Sequence, residues 1–197
     1  MAHVDDVEQT VSEKDIAALR ALLAALNGRD RKARQSAAHT VALIAKAAPA
    51  AVVPFVDDIV GAIDRPEAQT RWETLDALSS MALVDPNAAA KGFEGAETCL
   101  YDEESGLLRL TAFRYFVALG SSTPAWSVKA WPLIDEAIQC YHGDPEFSDM
   151  LDAVYTFAQA NLDPQVRAAL ADRMAFDARN GRGALAARAQ QIIDAVR

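Results

Sequence analysis

The chain has 197 residues, of which 51% are hydrophobic and 24% charged, so it is long enough for a full hydrophobic core and too apolar for disorder throughout. Its 28 acidic residues against 19 basic ones give a net charge of −9, and a negative field of this kind repels nucleic acid. About a fifth of the residues are alanine, the best helix former, which favours an all-α protein.

The first residues and the cysteines indicate a cytoplasmic protein. Residues 1–8 lack the basic and then apolar order of a signal peptide, and no apolar run reaches the roughly 18 residues of a membrane span. The two cysteines, Cys99 and Cys140, suit a reducing compartment better than a disulfide framework. We interpret residues 1–12 as a polar lead-in and residues 13–197 as one domain.

Prolines divide the rest of the chain into regular pieces. Helices are predicted to begin at four of them, spaced by 37, 38 and 40 residues: Pro49, Pro86, Pro124 and Pro164. Asp or Thr precedes three of these prolines, which is the order of an N-cap followed by the first helical residue. Second breaks lie near residues 27–28, 64–66, 104–106, 142–145 and 180–181. The pattern predicts about ten helices in five antiparallel pairs.

The second helix of each predicted pair carries a finer repeat. Arginines align at Arg34, Arg71, Arg109 and Arg188, with separations of 37, 38 and 79 residues, the last about twice the period. The skipped repeat has Leu151 where arginine is expected. A period near 38 with two helices per unit is typical of a solenoid, in which each pair buries its apolar faces against its neighbours.

These features resemble the HEAT repeat family, of the armadillo-like α-solenoid class. The resemblance rests on the opening prolines, the internal Pro54 and Pro132, and the apolar-Arg-x-x-Ala signature, and it covers residues 13–197. It implies a right-handed superhelix of about five helix pairs that binds a partner along a concave groove lined by the second helices. It also implies that the aligned arginines are structural and pair with an acidic or carbonyl partner in an adjoining repeat.

The outward face of the second helices supplies the candidate binding residues. At about 100° per residue, positions 2, 3, 6 and 10 after the residue preceding each arginine point away from the core. The predicted groove residues are Gln35, His39, Trp72, Asp76, Ser80, Thr111, Arg114, Asp152 and Thr156. Trp72 is a candidate binding anchor, with packing over a neighbouring repeat as the equal alternative. Ile193 takes the matching place in the last pair and predicts either a terminal contact or a self-association surface there.

The segment from Trp72 to Asp76 is similar to the Trp-Asp-x-x-Asp segment of HEAT-like alkylpurine DNA glycosylases. That resemblance implies that Trp72 stacks against a damaged nucleotide and that Asp76 stabilises positive charge on its sugar. The chain departs from the family at Leu110, where the family carries a DNA-contacting arginine. Residues 99–163 also hold ten acidic and three basic residues. DNA binding or alkylbase excision is therefore the alternative prediction.

The histidines and cysteines lack the spacing of a metal site or a catalytic site. We interpret Cys99 and Cys140 as small residues that fill the core. We therefore expect no metal, no cofactor and no enzymatic activity. The leading prediction is a protein–protein interaction scaffold whose partner is another protein or a peptide, without a role for a membrane.

Overall fold

Helices follow one another along residues 13–197, the part of the chain that the computed structural model describes, with side chains described from Ile16 onward. The predicted polar lead-in, residues 1–12, lies outside this part. No strand occurs among the described residues, which confirms the all-α prediction. The helical segments alternate as predicted, and we number the five pairs as repeats 1 to 5.

Each repeat has a first segment, called A, and a second helix, called B. Repeat 1 consists of α1 (Glu13–Leu26) and α2 (Arg31–Ala47). Repeat 2 consists of α3 (Pro49–Val52), a 3-10 turn (Val53–Phe55), α4 (Val56–Val60) and α5 (Ala68–Met81). Repeat 3 consists of α6 (Pro86–Ala89), a 3-10 turn (Ala90–Gly92), α7 (Phe93–Leu100) and α8 (Gly106–Ser122). Repeats 4 and 5 consist of α9 (Pro124–Cys140), α10 (Phe147–Ala158), α11 (Pro164–Asn180) and α12 (Ala184–Val196).

The A segments of repeats 2 to 5 begin at the four prolines, as predicted, and at three of them the preceding side chain caps the helix. The Asp85 side chain accepts a hydrogen bond from the Ala88 N–H at 2.9 Å, and Thr123 does the same for Trp126 at 3.2 Å. Asp163 accepts from the Gln165 N–H at 2.8 Å. Each cap satisfies an amide that has no partner within its helix, while the proline at the next position has no amide to satisfy.

The B helices α2, α5, α8, α10 and α12 pack side by side in chain order, and the A segments cover one side of this row. Helix α8 lies in the middle, and its side chains Phe113, Tyr115 and Phe116 are fully buried. The Tyr115 hydroxyl donates to the carbonyl of Ala89 at 2.9 Å, so the buried ring also satisfies its polar end. The other side of the row of B helices stays open, and the candidate residues lie there.

Two glycines, Gly92 and Gly95, allow close packing of the A segment of repeat 3. A Cβ atom at Gly92 would lie 2.6 Å from Leu78 Cδ1, too close for any larger residue without a shift. Repeat 3 therefore approaches helix α5 more closely than a side chain would allow.

Candidate functional site

Eight of the nine predicted groove residues are exposed or half-buried. His39, Asp76, Arg114, Asp152 and Thr156 are exposed on the open side of the B helices. Gln35, Trp72 and Ser80 are half-buried, and Trp72 packs against the hydrophobic core with part of its surface still exposed. Trp72 is therefore packed as one alternative predicted, and its role as a binding anchor stays a prediction.

Thr111 does not line an accessible groove, and its prediction is corrected. The residue is buried, with 3% of its surface exposed, and its hydroxyl donates to the carbonyl of Leu107 at 2.8 Å. The neighbouring Leu110 is buried as well. The matching positions of α5 and α10, Glu73 and Ala153, are half-buried, so this position borders the buried face in each of the three helices. Arg114 reaches solvent from this helix instead.

Polar and charged side chains from three successive B helices lie on the open side, and we call His39, Glu73, Asp76 and Arg114 the central cluster. His39 Nδ1 of α2 lies 2.9 Å from Glu73 Oε1 of α5, so one polar contact already joins repeats 1 and 2. The Glu73 side chain is largely buried by its surroundings, whereas His39 is more than half exposed. The cluster therefore presents both signs of charge to a partner.

The electrostatics of Asp76 reflect its position between these groups. Desolvation by the surrounding helices raises the pKa of the Asp76 carboxyl above its ordinary value, and the nearby negative charge of Glu73 raises it further. The positive charges of Arg114 and Lys46 act in the opposite direction on this pKa. Asp76 is nevertheless exposed to solvent, because it lies on the open side of helix α5 and not in the core.

The aligned arginines are structural, as the sequence predicted. Arg34 forms a buried ion pair with Glu67 of repeat 2 and donates to the carbonyls of Gly28 and Arg29 at 3.0 and 2.8 Å. This pairing raises the pKa of Arg34, and the hydrogen bond from Arg34 lowers the pKa of the Glu67 carboxyl against the opposing effect of desolvation. The first arginine therefore joins repeats 1 and 2 through a fully partnered guanidinium.

The next two arginines repeat this connection. Arg71 Nη1 lies 3.0 Å from Asp102 Oδ2 of repeat 3, and its Nη2 lies 3.3 Å from Cys99 Sγ. Arg109 donates to the Asp102 carbonyl at 2.9 Å and lies 3.7 Å from carboxylate oxygens of both Asp144 and Glu146 in repeat 4. We call Arg34, Arg71 and Arg109 the bridging arginines, because each crosses to the turn of the following repeat.

Arg188 belongs to the last repeat and turns back to the preceding one. Its Nη2 lies 2.6 Å from Asp152 Oδ1, and its guanidinium lies 5.0 Å from the centre of the Tyr155 ring. The prediction of an acidic partner in an adjoining repeat is thus confirmed for this arginine too. The same contact holds one predicted groove residue, Asp152, in an ion pair.

Two further expectations are wrong. Ile193 is buried with 6% of its surface exposed, so it packs into the core of its own chain and offers no surface for self-association. Ala189 and Ile193 are both buried and lie four positions apart in α12, so the helix face that they share points toward the core. Cys140 is exposed at the end of α9, whereas Cys99 is buried as expected.

The sequence did not single out Lys46 or the open cleft beside the turn at residues 142–145. That cleft has a volume of about 590 Å³ and lies between the start of α10 and helix α12. Its one signal in the sequence is the leucine at 151, in the row of arginines. Among the described residues, no group of three or more His, Cys, Asp or Glu side chains has the arrangement of a metal site. None of the helices described combines the length and apolar character needed to cross a bilayer.

The comparisons with known proteins give a fold. No protein-family model matches the chain, and no curated protein has a significantly similar sequence. Among solved structures, a designed armadillo repeat protein in complex with the peptide (KR)4 is similar with a TM-score of 0.73 and 14% identity, over 96% of this chain and 85% of that one. An engineered protein of the Northeast Structural Genomics Consortium is similar with a TM-score of 0.71 and 16% identity, over 93% and 81% of the two chains.

A second designed armadillo repeat protein gives a TM-score of 0.61 at 13% identity, over 91% of this chain and all of that one. Similarity at this level of identity concerns the fold and not the activity. The order of the helices, the row of B helices and these neighbours together confirm the predicted architecture. The chain has an armadillo-like all-α solenoid fold.

Proposed function

We propose that this protein is a non-enzymatic scaffold that binds an extended segment of another protein across the B helices of repeats 1 to 3. The observation that carries the proposal is the central cluster. It places exposed polar side chains on three successive helices, with opposite charges at Asp76 and Arg114 and the half-buried Trp72 beside them.

The arrangement suits a peptide better than a small substrate. A small-molecule site is concave and encloses most of its ligand, whereas the central cluster lies on an open row of helices. Asp76 and Arg114 are exposed, so each can meet an opposite charge on a partner without losing a structural contact that we observe. The exposed part of Trp72 adds an aromatic surface, and aromatic and arginine side chains are frequent anchors of interfaces.

The fold supports the same conclusion by analogy. One similar structure is a designed armadillo repeat protein in complex with the peptide (KR)4, so a solenoid of this kind can hold a peptide. The charges that matter in the present chain are its own: Asp76 favours a basic partner residue, and Arg114 favours an acidic one. We therefore expect a partner segment with both kinds of charge.

The test is a selection of displayed random peptides on the purified protein, followed by fluorescence anisotropy with the selected peptides. The charge reversal Asp76→Lys/Arg114→Glu should weaken their binding at least about tenfold, because two favourable contacts become repulsive. The matched control Asp58→Lys/Arg179→Glu exchanges one exposed charge of each sign away from the cluster and should change binding less than about twofold. Equal binding by the reversed and wild-type proteins would remove the central cluster from the proposed function.

The alternative of DNA binding and alkylbase excision is tested in the same preparation. Leu110 is buried, and Glu73 adds a second negative charge beside Asp76, so a phosphate backbone gains little at this surface. We expect neither retardation of an alkylated duplex at low salt nor release of the damaged base. Base release that disappears with Asp76→Asn would replace the scaffold proposal.

A further inference from the structure

The cleft at the junction of repeats 4 and 5 has an apolar wall and a charged rim. Leu185, Ala184 and Ala187 supply accessible apolar surface, with the buried Phe147 and Leu151 behind it. Asp144, Asp152 and Arg188 lie on the rim. The cleft is open to solvent and has a volume of about 590 Å³. A side chain with an apolar stem and a charged end has the shape and polarity that match such a wall and rim.

The register of the repeats explains why the cleft occurs at this junction. Leu151 occupies the position of the three bridging arginines, whose guanidinium groups cross to the turn of the next repeat. The turn that follows repeat 4 in this register, residues 180–183, contains no acidic residue. Both members of the ion pair are thus absent from the sequence here. Leucine therefore stands at the position where the other junctions have the stem of an arginine.

The charged groups on the rim differ in the strength of the ion pairs that they already form. Asp152 is paired with Arg188 at 2.6 Å, and Arg188 also lies against the Tyr155 ring. Asp144 has a weaker contact, 3.7 Å from Arg109 Nη2, and its side chain is 41% exposed. His142 at the edge is held by Asp177, with Nε2 and Oδ1 3.1 Å apart. Asp144 is therefore the carboxylate on this rim with the most remaining capacity to accept a hydrogen bond.

We propose that this cleft binds an arginine side chain from a partner segment. The aliphatic stem lies on Leu185 and Ala187, and the guanidinium donates to the Asp144 carboxylate. Arg188 on the opposite rim repels the guanidinium and so favours the Asp144 side. Among the residues that line the cleft, two carboxylates, Asp144 and Asp152, stand against one arginine, which also favours a cation. The proposal rests on the proposed function only in assigning the arginine to a bound protein, because the site itself can be measured with a small probe.

The experiment is an NMR titration of the full chain, followed through the backbone amides of Gly143, Ser148, Leu151 and Arg188. The probes are N-acetyl-arginine methylamide, the uncharged N-acetyl-norleucine methylamide and the anionic N-acetyl-glutamate methylamide. The arginine probe should give saturable shifts with a dissociation constant on the order of millimolar, as expected for one side chain. The norleucine probe should bind at least about threefold more weakly, and the glutamate probe should give no saturable shift. Equal binding of arginine and norleucine, or no saturable shift at the cleft, would overturn the proposal.

Two variants test the geometry without altering the core. Asp144→Asn removes the charge but keeps the shape, and it should reduce the affinity for the arginine probe at least about threefold. Ala187→Met enlarges an exposed residue of the cleft and should block the probe. Asp149→Asn removes a similar exposed charge of α10 that does not line the cleft, and its affinity should equal that of the wild type. If this control loses as much affinity as Asp144→Asn does, the loss reflects the net charge of the protein and not a contact in the cleft, and the proposal is overturned.

The two proposals can fail separately. The Asp76→Lys/Arg114→Glu variant changes the central cluster and should bind the arginine probe as the wild type does. If the cleft binds arginine but no selected peptide depends on the central cluster, only the proposed function fails. If peptides depend on the cluster but the arginine probe does not bind at the cleft, only the present inference fails.

Discussion

The first three junctions between repeats differ from the last one in an aligned pair of residues. Arg34, Arg71 and Arg109 each reach a carboxylate in the turn of the following repeat, so a polar contact crosses each of these junctions. At the fourth junction Leu151 has the same register, the turn at residues 180–183 contains no acidic residue, and an open cleft lies there. The polar contact is therefore a property of these side chains and not of the helix order, which is the same in all five repeats.

The difference shows what one aligned position does in a repeat fold. A bridging arginine stabilises the contact with the next repeat. A leucine keeps the apolar packing but provides no polar group, so a nearby carboxylate finds another partner. Asp152, next to Leu151, is an instance, because it pairs with Arg188 of the last repeat at 2.6 Å.

The largest expected effect comes from breaking a closed junction. Arg71→Ala removes a partly buried partner of Asp102 and should lower the free energy of unfolding by about 1–3 kcal/mol. Arg188→Ala removes a more exposed ion pair in the terminal repeat and should cost less than about 1 kcal/mol. Urea unfolding followed by circular dichroism compares the two variants. Equal losses would show that the bridging position has no special weight.

The next effect concerns rebuilding the missing pair at the open junction. Arg34 and Glu67 are 33 residues apart, and the same spacing from Leu151 leads to Ala184, an exposed residue of the cleft. The variants Leu151→Arg and Ala184→Glu should be more stable together than the sum of their separate effects predicts. A double-mutant cycle should give a favourable coupling on the order of 1 kcal/mol. A coupling of zero would mean that register alone does not make a bridge.

Acid should weaken the first junction through Glu67. Its pKa lies below the ordinary value in the folded protein, because Arg34 donates to the carboxylate. The pair therefore contributes its full stability above the ordinary pKa of glutamate, and this contribution is lost as the pH falls through the lowered value. Between about pH 6 and pH 3, the free energy of unfolding should fall more steeply with decreasing pH for the wild type than for Glu67→Gln. Glu103→Gln, at an exposed turn, should follow the wild type, and an unchanged slope in Glu67→Gln would contradict the pairing.

The smallest effect is a change in the titration of Asp76, which reports on the central cluster and not on a junction. Glu73→Gln should lower the pKa of the Asp76 carboxyl, because it removes a nearby negative charge. Arg114→Met should raise the same pKa, because it removes a positive one. Carbon-13 NMR of the side-chain carboxyl measures both directions. A shift of the same sign in both variants would contradict the arrangement of the cluster.

Local residue chemistry made much of the fold predictable. Asp85, Thr123 and Asp163 cap their helices through contacts within three residues, so their roles are visible in the sequence itself. The aligned arginines were predictable for a related reason, since a polar side chain repeated at a fixed register has the same neighbours in every repeat. The exposed groove residues His39, Asp76 and Arg114 followed from helical periodicity.

The corrected residues depend on packing between helices, which periodicity does not contain. Thr111 is buried although its position was expected to face outward, because this position borders the buried face, as the half-buried Glu73 and Ala153 show on the neighbouring B helices. Ile193 lies in the terminal repeat, where the buried face turns toward the rest of the chain. Cys140 was expected in the core because free cysteine is usually buried, yet its place at the end of α9 leaves it exposed.

The sequence by itself determined the helices, their caps and the period of the solenoid, because these depend on contacts between residues close together in the chain. Only the tertiary structure decided which side chains meet across repeats, such as His39 with Glu73, and which junction stays open beside Leu151. The reason is that exposure and ion pairing depend on how neighbouring helices pack. Residues about 35 positions apart in the chain contact one another there, as residues one turn apart in the same helix do.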